Sequence, residues 1–232
     1  MIDIHTHILP FVDDGSEDLE TSLKLLQEEV EIGVTDVFLT PHYMKSRNYL
    51  STYEENKKVF DSFKSEVEKR DISIRMHLGN EIYYNFTSIE KLRNRTVVPL
   101  GQSKMVLIEF STDEEEEDFG EAIHNITSLG FTPIIAHIER YQYVKNFNDY
   151  KIIKKMGALI QVNAASIVGA RGSQLKKTAL KLIKAGLVDF ISSDIHAFRT
   201  NYMKEAYQFV IKKFGKAMAE QLFNNLMILK QA

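Results

Sequence analysis

The sequence contains no cysteine, no apolar run long enough to cross a bilayer, and no linker rich in proline or glycine. Without cysteine there are no disulfides, no thiolate metal ligands and no cysteine nucleophile, and a cytoplasmic protein is favoured. A transmembrane helix needs about 20 consecutive apolar residues, so we expect no membrane insertion. Charged and polar side chains from residue 3 onward argue against a signal peptide. With no linker, we expect a single domain over residues 1–232.

The chain also has little net charge, because its acidic and basic residues nearly balance. The net charge is −3 and no basic patch dominates, which argues against a nucleic-acid partner. Hydrophobic residues make up 44% of the chain, enough for a sizeable core, and 26% of residues are charged, as in ordinary globular proteins. These values indicate a globular protein and leave its chemistry to be found in its motifs.

One pattern recurs along the chain: an amphipathic stretch, a glycine and then a run rich in β-formers. The glycines are Gly33, Gly130, Gly157 and Gly186, and each is predicted to end a helix in a left-handed cap. The run that follows is typical of a parallel strand covered on both faces. Seven strands are predicted, near residues 2–5, 35–40, 73–78, 105–110, 132–137, 158–162 and 188–192. Helices are predicted between them, for example at 17–32, 53–69 and 173–185. The repeated βα units favour a closed or nearly closed α/β barrel, with a doubly wound open sheet as the alternative.

Histidines and carboxylates stand at the C-terminal ends of six of the seven predicted strands. They are His5, His7, His42, Glu81, Glu109, His137, Asp194 and His196. Catalytic residues of α/β barrels gather at this end, whereas an open sheet brings ligands together only at its switch point. So many contributing strands therefore favour the barrel.

Each of these residues alone has an ordinary structural explanation, but the set does not. With Asp14 added, nine such side chains at one end of a barrel would be a costly cluster unless cations compensate the carboxylates. Mixed imidazole and carboxylate ligands suit zinc, manganese or iron. The ligands are too many for one ion, so two or three divalent ions are predicted. The residues by themselves leave open whether Asp13 or Asp14 is the ligand.

Several motifs resemble those of the polymerase and histidinol phosphatase (PHP) superfamily. They are "DIHTH" at the start, "TPH" at 40–42, Glu81, Glu109, "AHIER" at 136–140 and "SDIH" at 193–196. Within that superfamily, "IDIHTHILPFVDDG" and "HIERY" resemble the manganese-dependent protein-tyrosine phosphatases of bacterial capsule and exopolysaccharide operons. The resemblance implies a distorted (β/α)7 barrel with a three-metal centre at the C-terminal ends of its strands.

The resemblance also implies which residues hold each ion. One ion would be held by His5, His7, Glu81 and Asp194. A second would be held by Glu81, Glu109 and His137, with Glu81 bridging. A third would be held by Asp14, His42 and His196, and the choice of Asp14 over Asp13 rests on the family register. Manganese is the expected metal, and iron, zinc, cobalt or magnesium would also suit the ligands.

Two arginines are candidates for catalysis beside the metals. Arg140 follows His137 by three residues and Arg199 follows His196 by three, and the guanidinium fork matches the geometry of a phosphate. A surface salt bridge is the alternative for each. Asp14 is counted as catalytic with them, because an ion that it holds could stabilise the leaving oxygen.

These features predict a metal-dependent protein-tyrosine phosphatase in the cytoplasm. Its expected substrate is a phosphotyrosine protein, a membrane-associated bacterial tyrosine kinase that regulates capsular or exopolysaccharide synthesis. One alternative is a small-molecule phosphatase of the histidinol-phosphatase type, which would have a deeper pocket. The other is a catalytically silent metal-binding regulator.

Overall fold

The computed structural model describes residues 1–114 and 118–230. Within them the chain alternates between parallel β-strands and α-helices. The strands are β1 (Ile2–Thr6), β2 (Asp36–Leu39), β3 (His42–Tyr43), β4 (Arg75–Leu78), β5 (Glu81–Tyr83), β6 (Met105–Glu109), β7 (Thr132–Ile135), β8 (Leu159–Asn163) and β9 (Phe190–Ser192). The helices are α1 (Leu19–Glu31), α2 (Tyr53–Lys69), α3 (Ser88–Arg93), α4 (Phe119–Ser128), α5 (Phe147–Lys155), α6 (Ala164–Val168), α7 (Ser173–Lys184), α8 (Met203–Phe214) and α9 (Lys216–Phe223). Short 3₁₀ helices cover Lys45–Arg47, Ile138–Arg140 and Leu226–Leu229.

All seven predicted strands are present, but the second and third each continue, after an interruption, in a short strand beyond the predicted residues. The second is divided into β2 and β3 at Pro41, which has no backbone N–H to donate. The third is divided into β4 and β5 at Gly79 and Asn80. The Asn80 side chain donates to the Pro41 carbonyl and accepts from the Val98 amide, so it links both interruptions to the next loop.

The parallel strands run in the orders β1-β2-β4 and β3-β5-β6-β7-β8-β9. The last strand returns to the first: the His7 amide donates to the Ile195 carbonyl, and the Asp194 amide donates to the His5 carbonyl, both at 3.0 Å. The sheet is therefore curled, as the predicted distorted (β/α)7 barrel requires, and the open-sheet alternative is wrong. These hydrogen bonds bring the segments after β1 and β9 together.

Apolar side chains fill both sides of the curled sheet. Ile134 belongs to the cluster inside the barrel, while its neighbour Ile135 packs outside against the helices. Leu107 and Ile108 show the same alternation. Burial on both faces explains why these strands are almost wholly apolar in sequence. Among the described residues, no helix is both long and apolar enough to span a membrane.

The predicted glycine caps are confirmed. Gly33, Gly130, Gly157 and Gly186 all have positive φ, between 67° and 99°, directly after helices. Helix α2 covers the predicted residues 53–69, and its start has a physical cause. Thr52 and Glu55 form a reciprocal capping box that satisfies backbone N–H groups of the first turn.

Candidate metal centre

The nine predicted ligands all come together at the C-terminal ends of the strands. His5 lies in β1, Glu109 ends β6, and His42 and Glu81 begin the short strands β3 and β5. The others occupy loops that follow β1, β7 and β9: His7, Asp14, His137, Asp194 and His196. Eight of the nine are buried, and Asp14 is partly exposed. An apolar barrel interior thus ends in a layer of buried histidines and carboxylates.

A first group of donor atoms surrounds one oxygen of Glu81. The Nε2 atoms of His5 and His7 lie 3.2 Å apart, and each is 3.1 Å from Glu81 Oε2. Asp194 Oδ1 lies 3.8 Å from both imidazole nitrogens. These are the four residues predicted to hold the first ion.

Glu81 also contacts a second group. His137 Nε2 lies 3.1 Å from Glu81 Oε1 and 3.3 Å from Glu109 Oε1. His42 adds a donor that the predicted second set lacks: its Nδ1 is 3.1 Å from Glu81 Oε2 and 3.8 Å from Glu109 Oε2. The Glu81 carboxylate thus lies between two groups of donors, as its predicted bridging role requires.

A third group forms around Asp14. Its Oδ1 lies 3.6 Å from His42 Nε2 and 3.5 Å from His196 Nε2, and His7 completes the group. Among the described residues, three sets offer donor atoms within 4.8 Å of one another. They are His7–Asp14–His42–His196, His5–His7–Glu81 and His42–Glu81–Glu109.

The two adjacent aspartates have different positions. Asp13 Oδ2 accepts from His7 Nδ1 at 2.7 Å and from the His42 amide at 3.0 Å, so its carboxylate is already satisfied. Asp14 Oδ1 is buried and has no hydrogen-bond partner among the described residues. A carboxylate that holds the far nitrogen of an imidazole is the usual second layer of a metal site. The geometry therefore supports Asp14 as a ligand and Asp13 as the residue that orients His7.

The β8 strand, which supplies no predicted ligand, supplies a buried amide chain instead. Gln161 Oε1 accepts from the His137 amide at 2.6 Å, and Gln161 Nε2 donates to Asn163 Oδ1 at 2.8 Å. Asn163 Nδ2 then donates to Asp194 Oδ2 at 2.8 Å. Neither residue was predicted as part of the site. Their signal was two amides alternating in the apolar strand "LIQVN".

The backbone is constrained at the same place. His137 and Asp194 have positive φ angles of 31° and 52°, which non-glycine residues rarely adopt and which cluster at functional sites. Gly15 packs directly against His7: a Cβ added to Gly15 would lie 2.0 Å from the His7 carbonyl oxygen. The loop after β1 can therefore fold back against the His7 backbone only because glycine stands there.

The electrostatics of the centre suit divalent cations. Burial and the nearby His7 lower the pKa of His196 to about 4, and the same causes lower that of His42, which leaves neutral imidazoles with free lone pairs. Burial raises the pKa of Glu81, but the neighbouring His5 and His42 hold that pKa well below its usual value. Burial lowers the pKa of His137, but Glu109 and Glu81 raise it to about 9. Burial also lowers the pKa of His7, but Asp13 and Glu81 likewise raise it, to well above its usual value. Ionised carboxylates, neutral imidazoles at His42 and His196, and a demand for positive charge at His7 and His137 together fit a metal cluster.

Unpartnered buried atoms support the same fit. Besides Asp14 Oδ1, the atoms His42 Nδ1 and Glu109 Oε2 are buried and make no hydrogen bond within the described parts of the chain. Buried polar groups without partners are rare in folded proteins and call for an unrepresented water or ion. All three atoms belong to the donor sets described above.

The predicted arginines line the opening of the centre and both contact Asp194. Arg199 Nη1 lies 2.8 Å from Asp194 Oδ1, and Arg140 Nη1 lies 3.6 Å from Asp194 Oδ2. Their side chains are 20% and 26% exposed, so each guanidinium lies at the border between the buried centre and solvent. A third arginine, Arg47, was not predicted. It lies in the 3₁₀ helix Lys45–Arg47, and its Nη1 donates to Asp14 Oδ2 over 3.1 Å.

The opening is small. Its cavity has a volume of about 60 Å³ and is lined by seven of the nine predicted ligands together with Met44, Arg47, Arg140 and Arg199. The ring of Tyr49 stacks on His42, one of the lining residues, with 5.9 Å between centroids and an interplanar angle of 11°. The cavity over the centre is thus small and lined mainly by histidine, carboxylate and arginine side chains.

Comparisons with known proteins agree with this geometry. The model of a family described as "Capsular polysaccharide synthesis, CpsB/CapC" matches residues 1–229. The tyrosine-protein phosphatase CpsB of Streptococcus agalactiae is 37% identical over 99% of this chain and 98% of its own length. CpsB of Streptococcus pneumoniae is 34% identical over 96% of this chain and 95% of its own length.

A solved structure matches the whole chain. It comes from crystal structures of YwqE from Bacillus subtilis and CpsB from S. pneumoniae, described as unique metal-dependent tyrosine phosphatases. The TM-score is 0.93 at 30% sequence identity, with 100% of this chain and 96% of that chain covered. The resemblance inferred from the motifs is confirmed.

Proposed function

The chain belongs to the CpsB/CapC family of capsular polysaccharide synthesis, and from this premise we propose that it is a metal-dependent protein-tyrosine phosphatase. The observation that carries the proposal is the overlap of three donor sets through His7, His42 and Glu81 beneath a rim of arginines. Overlapping sets of this kind suit a cluster of ions, and arginine suits the phosphate that such a cluster would act on.

We propose that His5, His7, Glu81 and Asp194 hold one ion and that Glu81, Glu109 and His137 hold a second. Asp14, His42 and His196 would hold a third, with His42 also close to the second. The preferred metal is manganese. Bound ions would lower the pKa of water and neutralise charge on the phosphoryl oxygens.

The protein's own residues then bind and orient the substrate. Arg140 and Arg199 would contact the non-bridging phosphoryl oxygens from the rim, where their guanidinium groups already lie beside Asp194. Asp14 would act at the leaving oxygen through the ion that it holds. The conjugate acid of a tyrosine leaving group has a pKa near ~10, so the reaction depends less on a strong general acid than hydrolysis of an alkyl ester does.

The size of the opening favours a protein substrate over a small metabolite. Pockets that enclose small ligands usually have volumes of about 300–1,000 Å³, whereas the cavity over the centre has about 60 Å³. A phosphate carried on a projecting tyrosine side chain fits such a site, because most of the substrate remains outside. Tyr49 beside His42 would pack against the tyrosine ring.

We further propose that the substrate is a membrane-associated bacterial tyrosine kinase in capsule or exopolysaccharide synthesis. The proposed location is the cytoplasm, where that kinase presents its phosphotyrosine, and the proposed catalytic unit is a single domain over residues 1–232. The description of the family supports the pathway, and the names of the relatives support phosphotyrosine as the substrate group.

The test is a substrate panel on purified protein. Metal-stripped protein is assayed alone and with Mn²⁺, Fe²⁺, Zn²⁺, Co²⁺ or Mg²⁺ against phosphotyrosine and phosphoserine peptides, histidinol phosphate and p-nitrophenyl phosphate. We expect activity only with added metal, highest with Mn²⁺, and a preference for phosphotyrosine. Full activity without metal would contradict the metal centre. Preference for histidinol phosphate would support the small-molecule alternative, and no turnover of any ester would support the silent regulator.

A further inference from the structure

A second, larger cavity adjoins the metal centre at Arg140. It has a volume of about 480 Å³ and lies between the Ile138–Arg140 turn, the start of α5 and helix α7. Its lining includes Lys145, Lys177 and Lys181 as well as Arg140. We call these four residues and the cavity that they border the lysine groove.

The groove carries three lysines that have no ion-pair partner in the described parts of the chain. Within the described residues, Lys145, Lys177 and Lys181 form no ion pair with a carboxylate, unlike Lys57 and Lys154 elsewhere in the chain. All three are exposed. Four cationic side chains therefore surround one concave surface.

The acidic residue described in the lining does not offset this charge. Glu139 borders the groove, but its side chain is buried. Its Oε1 also accepts a hydrogen bond from the Asn163 amide, so the carboxyl group faces the protein interior and not the groove. A second carboxylate lies nearby, because Asp113 accepts a hydrogen bond from the lining residue Gln142 at 2.6 Å. Among the described residues, cationic groups therefore predominate in the groove but are not its only charges.

Helix α7 sets the positions of two of the lysines. Lys177 and Lys181 are four residues apart on α7 and so share one face of the helix. The Lys181 ammonium lies 4.1 Å from the centre of the Phe147 ring, which fixes it above the start of α5. This contact leaves the ammonium hydrogens available to a ligand.

Arg140 lines both the groove and the opening of the metal centre. A polypeptide that places a phosphotyrosine at the centre can therefore continue past Arg140 into the groove. Its neighbouring side chains would then meet Lys145, Lys177 and Lys181. Carboxylates are the groups on a polypeptide that this charge would attract.

We propose that the lysine groove binds aspartate and glutamate side chains of the substrate that flank its phosphotyrosine. This proposal rests on the proposed phosphatase function and adds a determinant of its specificity. Because the lysines are exposed, their contribution concerns substrate capture and falls as salt rises.

The test compares two phosphotyrosine peptides of equal length, one with glutamates and one with glutamines on both sides of the phosphotyrosine. Each is assayed with metal-loaded wild type and with the variant Lys145→Ala/Lys177→Ala/Lys181→Ala. The matched control is Lys184→Ala/Lys204→Ala/Lys212→Ala, which removes the same charge from exposed positions on α7 and α8 outside the groove lining.

In wild type we expect kcat/KM to favour the glutamate peptide by about tenfold, mainly through KM, since three exposed ion pairs together contribute on this order. The groove variant should lose most of that ratio, and the control variant should keep it. In wild type the ratio should also fall as NaCl is raised from 50 to 500 mM.

Three results would overturn the proposal. Turnover of both peptides with equal efficiency by wild type would leave the phosphatase function intact and exclude the groove as a determinant. An equal loss of preference in the control variant would assign the effect to net charge alone. If the groove variant lost binding to phosphatidylglycerol vesicles but kept the wild-type ratio of kcat/KM between the two peptides, the groove would be assigned to a membrane surface. If wild type hydrolysed neither peptide, the phosphatase function on which the groove proposal rests would be contradicted instead.

Discussion

The metal centre and the lysine groove are neighbours that share Arg140, but they differ in the burial and the pairing of their charged groups. In the centre, histidines and carboxylates are buried, and every carboxylate lies within 4 Å of a positively charged or imidazole group. In the groove, the lysines are exposed and lack carboxylate partners among the described residues. In the centre, buried groups of opposite charge offset one another, whereas the groove is an exposed surface on which positive charge predominates.

This difference predicts how each region responds to mutation. Removal of one member of a buried network leaves its partners uncompensated and has a large effect, whereas an exposed charge contributes little. Substitutions in the centre should therefore change metal content and the chemical step. Substitutions in the groove should change substrate capture.

The largest effect is expected at Glu81, because its carboxylate lies between two donor groups. Glu81→Ala should lower kcat/KM for a phosphotyrosine peptide by roughly four orders of magnitude or more and reduce the bound metal. The control is Glu68→Ala on α2, whose side chain is 68% exposed and lies 4.0 Å from Lys64. Steady-state kinetics and elemental analysis on the same preparations provide the measurement. Equal activity and metal content in the two variants would refute the bridging role.

A smaller effect is expected at Arg140, the residue common to both regions. Arg140→Ala should keep its metal and its fold but lose roughly two to three orders of magnitude in kcat/KM, since it removes a charged contact to the phosphoryl group. Arg140→Lys should recover only part, because an ammonium cannot form the two-pronged contact. Arg70→Ala, which breaks an exposed pair with Glu20, is the control. Near-normal kinetics would leave Arg140 with only its salt bridge to Asp194, and loss of metal would make its role structural.

The smallest of the three effects is expected at Asn163, which contacts Asp194 without belonging to a donor set. Asn163→Ala removes the hydrogen bonds to Asp194 and Gln161, and loss of such a supporting contact typically costs about 10–100-fold in metal affinity. Titration of metal-stripped protein with Mn²⁺ measures this change, with the exposed Asn148→Ala as the control. Unchanged affinity would show that the amide chain on β8 does not support the centre.

The predictions from sequence succeeded where the signal is local. The glycines at 33, 130, 157 and 186 have the positive φ that a helix cap needs, and α2 has the predicted bounds with its capping box. The polar residues at the strand ends were also predictable, because a histidine or carboxylate that follows an apolar run is visible in the sequence. What the sequence did not reveal was the division of the second and third strands, which depends on a contact between Asn80 and Pro41.

The candidate site shows the same limit. The sequence placed Asp13 and Asp14 side by side and could not distinguish them without a family register. In the structure, Asp13 is satisfied by His7 and the His42 amide, whereas Asp14 Oδ1 has no hydrogen-bond partner in the described part of the chain. Gln161, Asn163 and Arg47 were missed for the same reason: their roles depend on which side chains lie across from them.

The amino-acid sequence by itself thus determined the repeating βα units, the ends of the helices and the set of residues able to bind metal, since these follow from periodicity, caps and side-chain chemistry. Only the tertiary structure decided which donors lie together, which aspartate keeps an oxygen without a hydrogen-bond partner, and that Lys145 borders the same cavity as Lys177 and Lys181 on α7. Closure of the curled sheet brings residues 5 and 194 together and sets α7 beside the 138–140 turn. Contacts between residues so distant in sequence are products of packing, and no local pattern contains them.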